Sequence, residues 1–522
     1  MKKIGLIAFF SLFLLSGCMT LSLPDDWQEQ RKQAEEEQKK QEEEDKTPAV
    51  LTYFAFLKED NPDLEADIVC SNLEPQNLLM IPSCDLGLPR MLKPRFSVDK
   101  GALIYNGDEM VSGESEMYCS YAQNATIRIE SGSLKTYHNV TFAPCTGLPV
   151  VEIYTEDEKK ISSKEEWLNA RLIIHGFGEF PDLEDSVFVK KRGNGTAKFP
   201  KVAFNLKFNK KRPVLGMSKH KRWCFLANYR DKSQIRNAVS FYLGSLADNL
   251  EWTPRSEFAE VFLNGKHEGI YQVTEQIRVG SSRVDIDELT ESDVTDETVS
   301  GGYLMEIDKY FDEANKFKTT INEWPVMLKN PDEDVCQPEH FAYIMDFYNK
   351  VEALMERGLF DELYENYIDL DSFIDYYIVQ TLTNNREFPA LLSIFCYKKR
   401  NGKMYAGPLW DFDYSTYNAT SGTSNVGTIW YKYLFLDSKF NRALKARWNE
   451  LKPVFGANVY RYIAETSNYI SNSVHIDEAV YPDRNVIMKN GDEDLSFEDA
   501  VDKLAEVLKQ RIAWMDELIA SF

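Results

Sequence analysis

Apolar and polar positions alternate with changing period along this chain, and the most informative pattern falls at residues 369–418. Leu370, Phe373, Ile374, Tyr377, Ile378 and Leu382 recur at helical steps, which predicts an amphipathic helix with Asp371 as its N-cap. The polar stretch Asn384–Asn385–Arg386–Glu387 then reads as a loop. Ser393–Lys398 and Lys403–Ala406 predict two strands, joined through Arg400–Asn401–Gly402, where Asn-Gly favours a tight turn. The second strand runs into Gly407–Pro408–Leu409–Trp410–Asp411–Phe412–Asp413, where aspartates alternate with large apolar side chains. Burial of the aromatics draws the carboxylates inward, where they need partners. A divalent cation is one such partner; a cap combined with a basic side chain is another.

The same patterning divides the rest of the chain. Over residues 48–148, short alternating runs such as Ala125–Ile129 and Asn139–Phe142 are broken by Gly, Asn, Asp and Pro. That texture and a length of about one hundred residues suit a small β-sandwich. From residue 149 the texture changes. Val150–Tyr154, Ala170–Gly176 and Ala203–Phe208 are strand-like, and Lys191–Arg192–Gly193–Asn194–Gly195–Thr196 is a Gly-rich stretch ahead of the third. Such a loop lets backbone N–H groups approach a phosphate, with Lys207 on the next strand as a point charge; an ordinary hairpin turn has the same composition. Ile235, Val239, Tyr242 and Leu243 open a helix, preceded by a polar cluster of Asn228, Asp231, Lys232, Arg236 and Asn237. Phe258–Asn264 and Ile270–Glu275 predict a hairpin, followed by a strand over 301–308 containing Glu306. Beyond 338 the pattern is mostly helical, with Trp448 and Trp514 as expected core anchors.

Composition narrows the function. The chain has 522 residues, 43% of them hydrophobic, and a formal charge of −23. No long basic run is present, which argues against nucleic acid as a partner. No CxxC spacing suggests zinc. Cys70, Cys84, Cys119 and Cys145 crowd into one region and are candidates for pairing, whereas Cys224, Cys336 and Cys396 read as small buried apolar residues.

Residues 1–18, MKKIGLIAFFSLFLLSGC, combine a basic start, an apolar run and Leu15–Ser16–Gly17–Cys18. This resembles the bacterial lipoprotein leader, and it implies a lipid-carrying Cys18 as the membrane anchor. The expected location is the cell envelope, in the outer membrane. Residues 19–47 are highly charged, with Glu35–Lys39, Glu36–Lys40 and Glu42–Lys46 at helical spacing, and read as a solvated stalk. Residues 51–65 resemble the opening strand of immunoglobulin-like modules in surface lipoproteins of Bacteroidetes type.

Eight segments together resemble the CotH (spore coat protein H) family of atypical protein kinases. They are RGNGTAKFPKVAFNLKF (192–208), VLGM (214–217), WCFLANYRDKSQIRNAV (223–239), VFLNGKHEGIYQVTEQIRVGSSRVDI (261–286), GGYLMEID (301–308), Lys329–Asn330–Pro331–Asp332, SFIDYYIVQTLTNN (372–385) and GPLWDFD (407–413). The resemblance implies an α+β chain, with the immunoglobulin-like sandwich followed over 149–522 by a divergent kinase-like domain whose C-terminal part is helical. It implies ATP as co-substrate, Mg²⁺ or Mn²⁺ as the metal, and phosphate transfer to Ser or Thr of an extracytoplasmic protein. Phosphoryl transfer needs a phosphate cradle, a Lys, metal-holding carboxylates and a residue that orients the hydroxyl. By resemblance Arg192 and Lys207 contact phosphates, Glu275 or Glu306 orients a Lys, Asp411 holds the metal and Asp413 supports it. Asn194, Asn228, Lys232, Arg236 and Lys329 complete the expected nucleotide site, with Glu387 and Asp411 as the catalytic pair.

The chain departs from that pattern at three places. Asn385–Arg386–Glu387 stands where relatives carry Asn-x-Asp, Leu392–Ser393 where several carry an Asn, and Asn205 where an Arg is common. The competing expectation is a catalytically degenerate surface lipoprotein that binds protein or glycan through the same cleft.

Overall fold

The computed structural model describes residues 47–522 except 415, 420, 421 and 485–490, together with positions 29, 32, 33 and 36. The expectations for Cys18 and for most of the stalk therefore lie outside the described residues. No helix of the described residues is long and apolar enough to cross a membrane. The chain forms two compact units, one running to Pro82 and resuming over Leu86–Phe142, the other comprising Ser83–Asp85 and Ala143–Phe522.

The first unit is all β. Three sheets enclose one core: a three-stranded sheet around Leu51–Phe56, a five-stranded sheet built on Ala125–Ser131 and Leu134–Phe142, and the pair Arg90–Leu92 with Met117–Cys119. Phe54, Phe56, Leu78, Ile127, Ile129 and Phe142 fill that core. Their alternation along the strands is the period-two signal visible in the sequence.

The second unit begins with a closed barrel. Its strands are Val150–Thr155, Leu168–His175, Leu183–Lys191, Phe204–Arg212, His220–Leu226, Lys266–Glu275 and Ser256–Leu263, the last pairing in parallel with the first. Val151, Ile153, Leu172, Val189, Leu206 and Trp223 pack inside. Along His220–Leu226, Trp223 and Phe225 face the barrel while Cys224 and Leu226 face a second, larger core. One strand thus joins barrel and helices. Hairpin geometry follows the sequence expectation, with the turn at Asn264–Gly265.

A second sheet, ordered Lys316–Lys318, Pro325–Asn330, Tyr303–Ile307, Ile394–Lys398 and Met404–Ala406, lies among helices. The helix Leu370–Leu382 is buried on every side beyond its first turn rather than along one stripe. Its polar residues find partners inside: Asp375 accepts from Arg447 at 2.8 Å and from the Asn249 N–H at 3.1 Å, and Gln380 accepts from Asn385 at 3.0 Å. Asp369, not Asp371, caps this helix by accepting from the Ser372 N–H at 3.0 Å; Asp371 stands exposed in the first turn. Trp448 is buried as expected, at 2% exposure. Trp514 is only partly buried, because the adjoining Met515 takes the core position and Arg511 stacks 3.9 Å above the indole ring. Cys119, Cys145, Cys224, Cys336 and Cys396 are free thiols; Cys224 and Cys396 are buried and Cys336 is half-buried.

Candidate active site

A cleft of about 680 Å³ lies in the second unit, lined by the barrel on one wall and by the second sheet and its loops on the other. The barrel wall is basic. The hairpin between Leu183–Lys191 and Phe204–Arg212 is closed by the Arg192 N–H donating to the Ala203 carbonyl at 3.0 Å. Its loop brings Lys191, Arg192 and Asn194 to the cleft. Gly193 has φ +94°, and a Cβ there would sit 2.1 Å from the Thr196 hydroxyl, so this turn requires glycine. The Arg192 guanidinium lies 5.3 Å from the centre of the Trp410 ring, next to the acidic turn.

The opposite wall is acidic. Glu387, Asp411, Asp413 and Asp308 converge there. Asp411 sits at φ +63°, a conformation in which a non-glycine residue is strained. The turn is held from behind: Asn237 Oδ1 accepts from the Phe412 N–H at 2.8 Å. The carboxyls of Asp411, Asp413 and Glu387 lie close enough to repel one another when charged. Burial, then repulsion from Asp411, Asp413 and Asp308, holds Glu387 far above the ordinary carboxylate range. Burial and Asp411 raise Asp413 as well; burial also raises Asp411, against the pull of Arg192. Asp308 is anchored by N–H groups of Tyr310 at 2.8 Å and Ser393 at 3.0 Å.

On the sheet, Lys329 stands 3.3 Å from Glu306 and also pairs with Glu313. Burial would lower the Lys329 pKa, but the two carboxylates hold it above its usual value. Burial raises Glu306 to about 7, against the attraction of Lys329. Of the two glutamates proposed to orient a lysine, Glu306 is the one beside a lysine in the cleft. Glu275 is fully buried elsewhere, accepting from Arg283 at 2.7 Å and Arg255 at 3.1 Å.

The other expected residues divide in the same way. Arg192, Asn194, Asn228, Glu306, Lys329, Glu387, Asp411 and Asp413 line the cleft. Lys207 does not; it lies on the barrel between Phe188 and Arg222, with its ammonium 5.9 Å from the Phe188 ring. Lys232 pairs with Glu478. Arg236 pairs with Asp492 and lies 3.4 Å from Asp231, and it donates to the Tyr414 carbonyl at 3.3 Å. Arg236 thus braces the acidic segment without lining the cleft. Sequence reasoning did not assign Lys191, Arg230, Asn237 and Asp308 to the site. A signal existed for Asp308, since positions two apart on a strand share a face and Glu306 was already a candidate.

A metal is tested by its donors. The cluster is all oxygen, which suits a hard cation such as Mg²⁺ or Mn²⁺, and a cation would relieve the mutual repulsion of the carboxylates. Among the described residues no group of three or more His, Cys, Asp or Glu side chains is arranged to hold a metal unaided. Asp411 with Asp413 therefore fits a site whose remaining positions go to water and phosphate oxygens, the habit of Mg²⁺.

A barrel wall of basic groups facing a strained acidic turn, with a lysine–glutamate pair on adjacent strands of the second sheet, is consistent with a kinase-like domain. The family model described as CotH kinase protein matches residues 189–515, from the end of the third barrel strand into the helix Phe497–Ala520. The chain belongs to the CotH kinase family. A comparison with curated proteins finds no match.

Proposed function

We propose that this chain transfers the terminal phosphoryl group of ATP to a Ser or Thr hydroxyl of a surface or secreted protein. The observation that carries the reading is the meeting of Arg192 with the Glu387–Asp411–Asp413 cluster in one cleft. Asp411 and Asp413 would hold Mg²⁺ or Mn²⁺, which would neutralise charge developing on the phosphates. Arg192 binds phosphate oxygens, with the loop of Gly193 and Asn194 alongside. Lys329 gives a second positive charge, kept in place by Glu306. Glu387 orients the acceptor hydroxyl and would take its proton once a bound cation has drawn down the pKa that burial and the neighbouring carboxylates push up to about 10. The oxygen of the acceptor then forms the new P–O bond as the bond to ADP breaks.

The test is calorimetry of the full chain with ATP and each divalent metal, followed by transfer of labelled phosphate to an extract of the producing cell's envelope. Binding that is lost in Asp411→Ala, with label appearing on protein, is the expected result. Absence of nucleotide heat with every metal overturns the reading.

A second reading, binding without transfer, is favoured by Glu387 itself, whose carboxylate is one methylene longer than the aspartate of relatives. A 1 Å displacement of a catalytic group lowers rate by about a hundredfold. The leader sequence supports a lipid anchor at Cys18 and residence in the cell envelope, and the β unit would then serve as a spacer of immunoglobulin-like type.

A further inference from the structure

A second cavity, of about 520 Å³, shares no lining residue with the cleft. Its wall includes Ser218, Arg255, Ser282 and Arg283. Arg283 is fully buried, and its planar group lies 4.9 Å from the centre of the Trp223 ring. Its Nη1 donates to Glu275 Oε1 at 2.7 Å and to the Ser282 carbonyl at 2.9 Å. Its Nε and Nη2 have no hydrogen-bond partner. Unmade hydrogen bonds on a buried guanidinium are strongly unfavourable, and both nitrogens lie just beneath the wall, where an acceptor reaches them as the side chain turns toward the cavity.

The charge balance agrees. Arg255 donates through Nη2 to the same Glu275 Oε1 at 3.1 Å and to the Ser218 hydroxyl at 2.7 Å. Two guanidiniums therefore share one carboxylate, leaving one positive charge in excess, and they repel each other. The other charged residues of the wall are Lys399, Glu251 and Asp285. Lys399 and Glu251 neutralise one another at 2.6 Å, and Glu251 also accepts from the Tyr397 hydroxyl at 2.9 Å. Asp285 is exposed.

We propose that this cavity binds a compact oxyanion of the phosphate type, bridging Arg255 and Arg283 with the Ser218 hydroxyl as a further ligand. Guanidinium pairs match the planar, two-pronged acceptor geometry of phosphate. The inference is independent of the reading of the cleft, because it involves neither nucleotide nor the acidic turn.

The experiment titrates inorganic phosphate into the full chain by calorimetry at fixed ionic strength, in an Arg192→Ala background that weakens anion binding in the cleft. Phosphate binding that survives Arg192→Ala, weakens about tenfold in Arg255→Ala and disappears in Ser218→Asp supports the site. Arg283 is left intact, since its loss would remove the shorter of the two ion pairs on the buried Glu275; thermal melts establish that both variants remain folded. Loss of phosphate heat on Arg192→Ala alone assigns the binding to the cleft and overturns the proposal. So does a heat that neither Arg255→Ala nor Ser218→Asp alters, or no heat from the parent protein.

Discussion

Asn237 and Phe412 are joined by a hydrogen bond of 2.8 Å, from the backbone N–H of the turn to the side-chain oxygen at the start of the helix Arg236–Leu246. The same amide donates to Asn228 at 3.2 Å, and Asn228 in turn bonds to the Gln234 carbonyl and Gln272. A chain of side-chain amides thus ties the barrel to the acidic turn and helps hold Asp411 in its strained conformation. Asn237→Ala leaves a buried N–H without an acceptor and should lower stability by about 1–3 kcal/mol. Denaturant melts measure that loss. Metal affinity of the folded variant should fall with it, because the Asp411–Asp413 geometry loosens; an unchanged affinity would show that the turn holds itself.

The carboxylate cluster predicts a pH dependence whose sign can be worked out. Glu387, Asp411 and Asp413 have folded pKa values raised above their unfolded ones. In the window above the ordinary carboxylate range the folded state binds more protons than the unfolded state, so stability falls as pH rises through it. Glu306 adds the same trend between 4.5 and about 7. Asp411→Asn should therefore stabilise the metal-free protein at neutral pH, by on the order of 1 kcal/mol, and flatten the curve. Saturating Mg²⁺ should flatten the parent curve but leave the variant unaffected. Chemical denaturation at pH 5 and 7.5, with and without metal, reads all four cases.

Glu387 separates the two functional readings. Its backbone N–H donates to the Asn385 side chain at 3.0 Å, and Leu392 and Ala390 close the loop onto its carbonyl. The carboxyl is fixed by that loop rather than by a helix or strand. Glu387→Gln should retain nucleotide binding and lose transfer by a hundredfold or more, a range of about 10²–10⁴ being usual for removal of a general base. Glu387→Asp shortens the reach. Single-turnover assays in which only this shorter variant transfers phosphate would establish that the parent chain binds without catalysis.

Much of the site was legible because local composition and tertiary role coincide there. The Trp410–Asp413 alternation announces carboxylates drawn partly inward, and Gly193 announces a turn whose neighbour Thr196 leaves no room for a Cβ. Other roles depend on partners far away in sequence. Lys207 has the strand position of a phosphate-binding lysine but lies between Phe188 and Arg222, outside the cleft lining. Lys232 and Arg236 look like a ligand-binding cluster, yet Glu478 and Asp492, more than two hundred residues on, claim their charges. Closure of the barrel was equally hidden, since it rests on parallel pairing of Val150–Leu263 partners across the intervening strands. Helix capping was missed by two residues: Asp369 and Asp371 both precede the apolar run, and only the backbone turn decides between them.

Lys201 and Asp477 supply the last prediction. Both side chains are fully buried, and they meet at 2.6 Å across 276 residues of sequence. Lys201 belongs to the loop that carries Arg192 into the cleft, and Asp477 to the long helix Ser438–Val480. Asp477 also accepts from the Ile270 N–H at 3.2 Å and from Arg484 at 3.1 Å, and Gly269 is glycine because a Cβ would lie 2.0 Å from its Oδ1. The pair therefore pins barrel, Arg192 loop and helix to one point. Lys201→Met leaves the buried Asp477 with Arg484 as its remaining cationic partner and should destabilise by about 1–3 kcal/mol, measured by denaturant melts. Joining it to Asp477→Asn should give less than the sum of the single losses, since both changes remove the same Lys201–Asp477 contact. Additive losses in that double-mutant cycle would show that Lys201 and Asp477 act separately and that the loop is held by its own backbone.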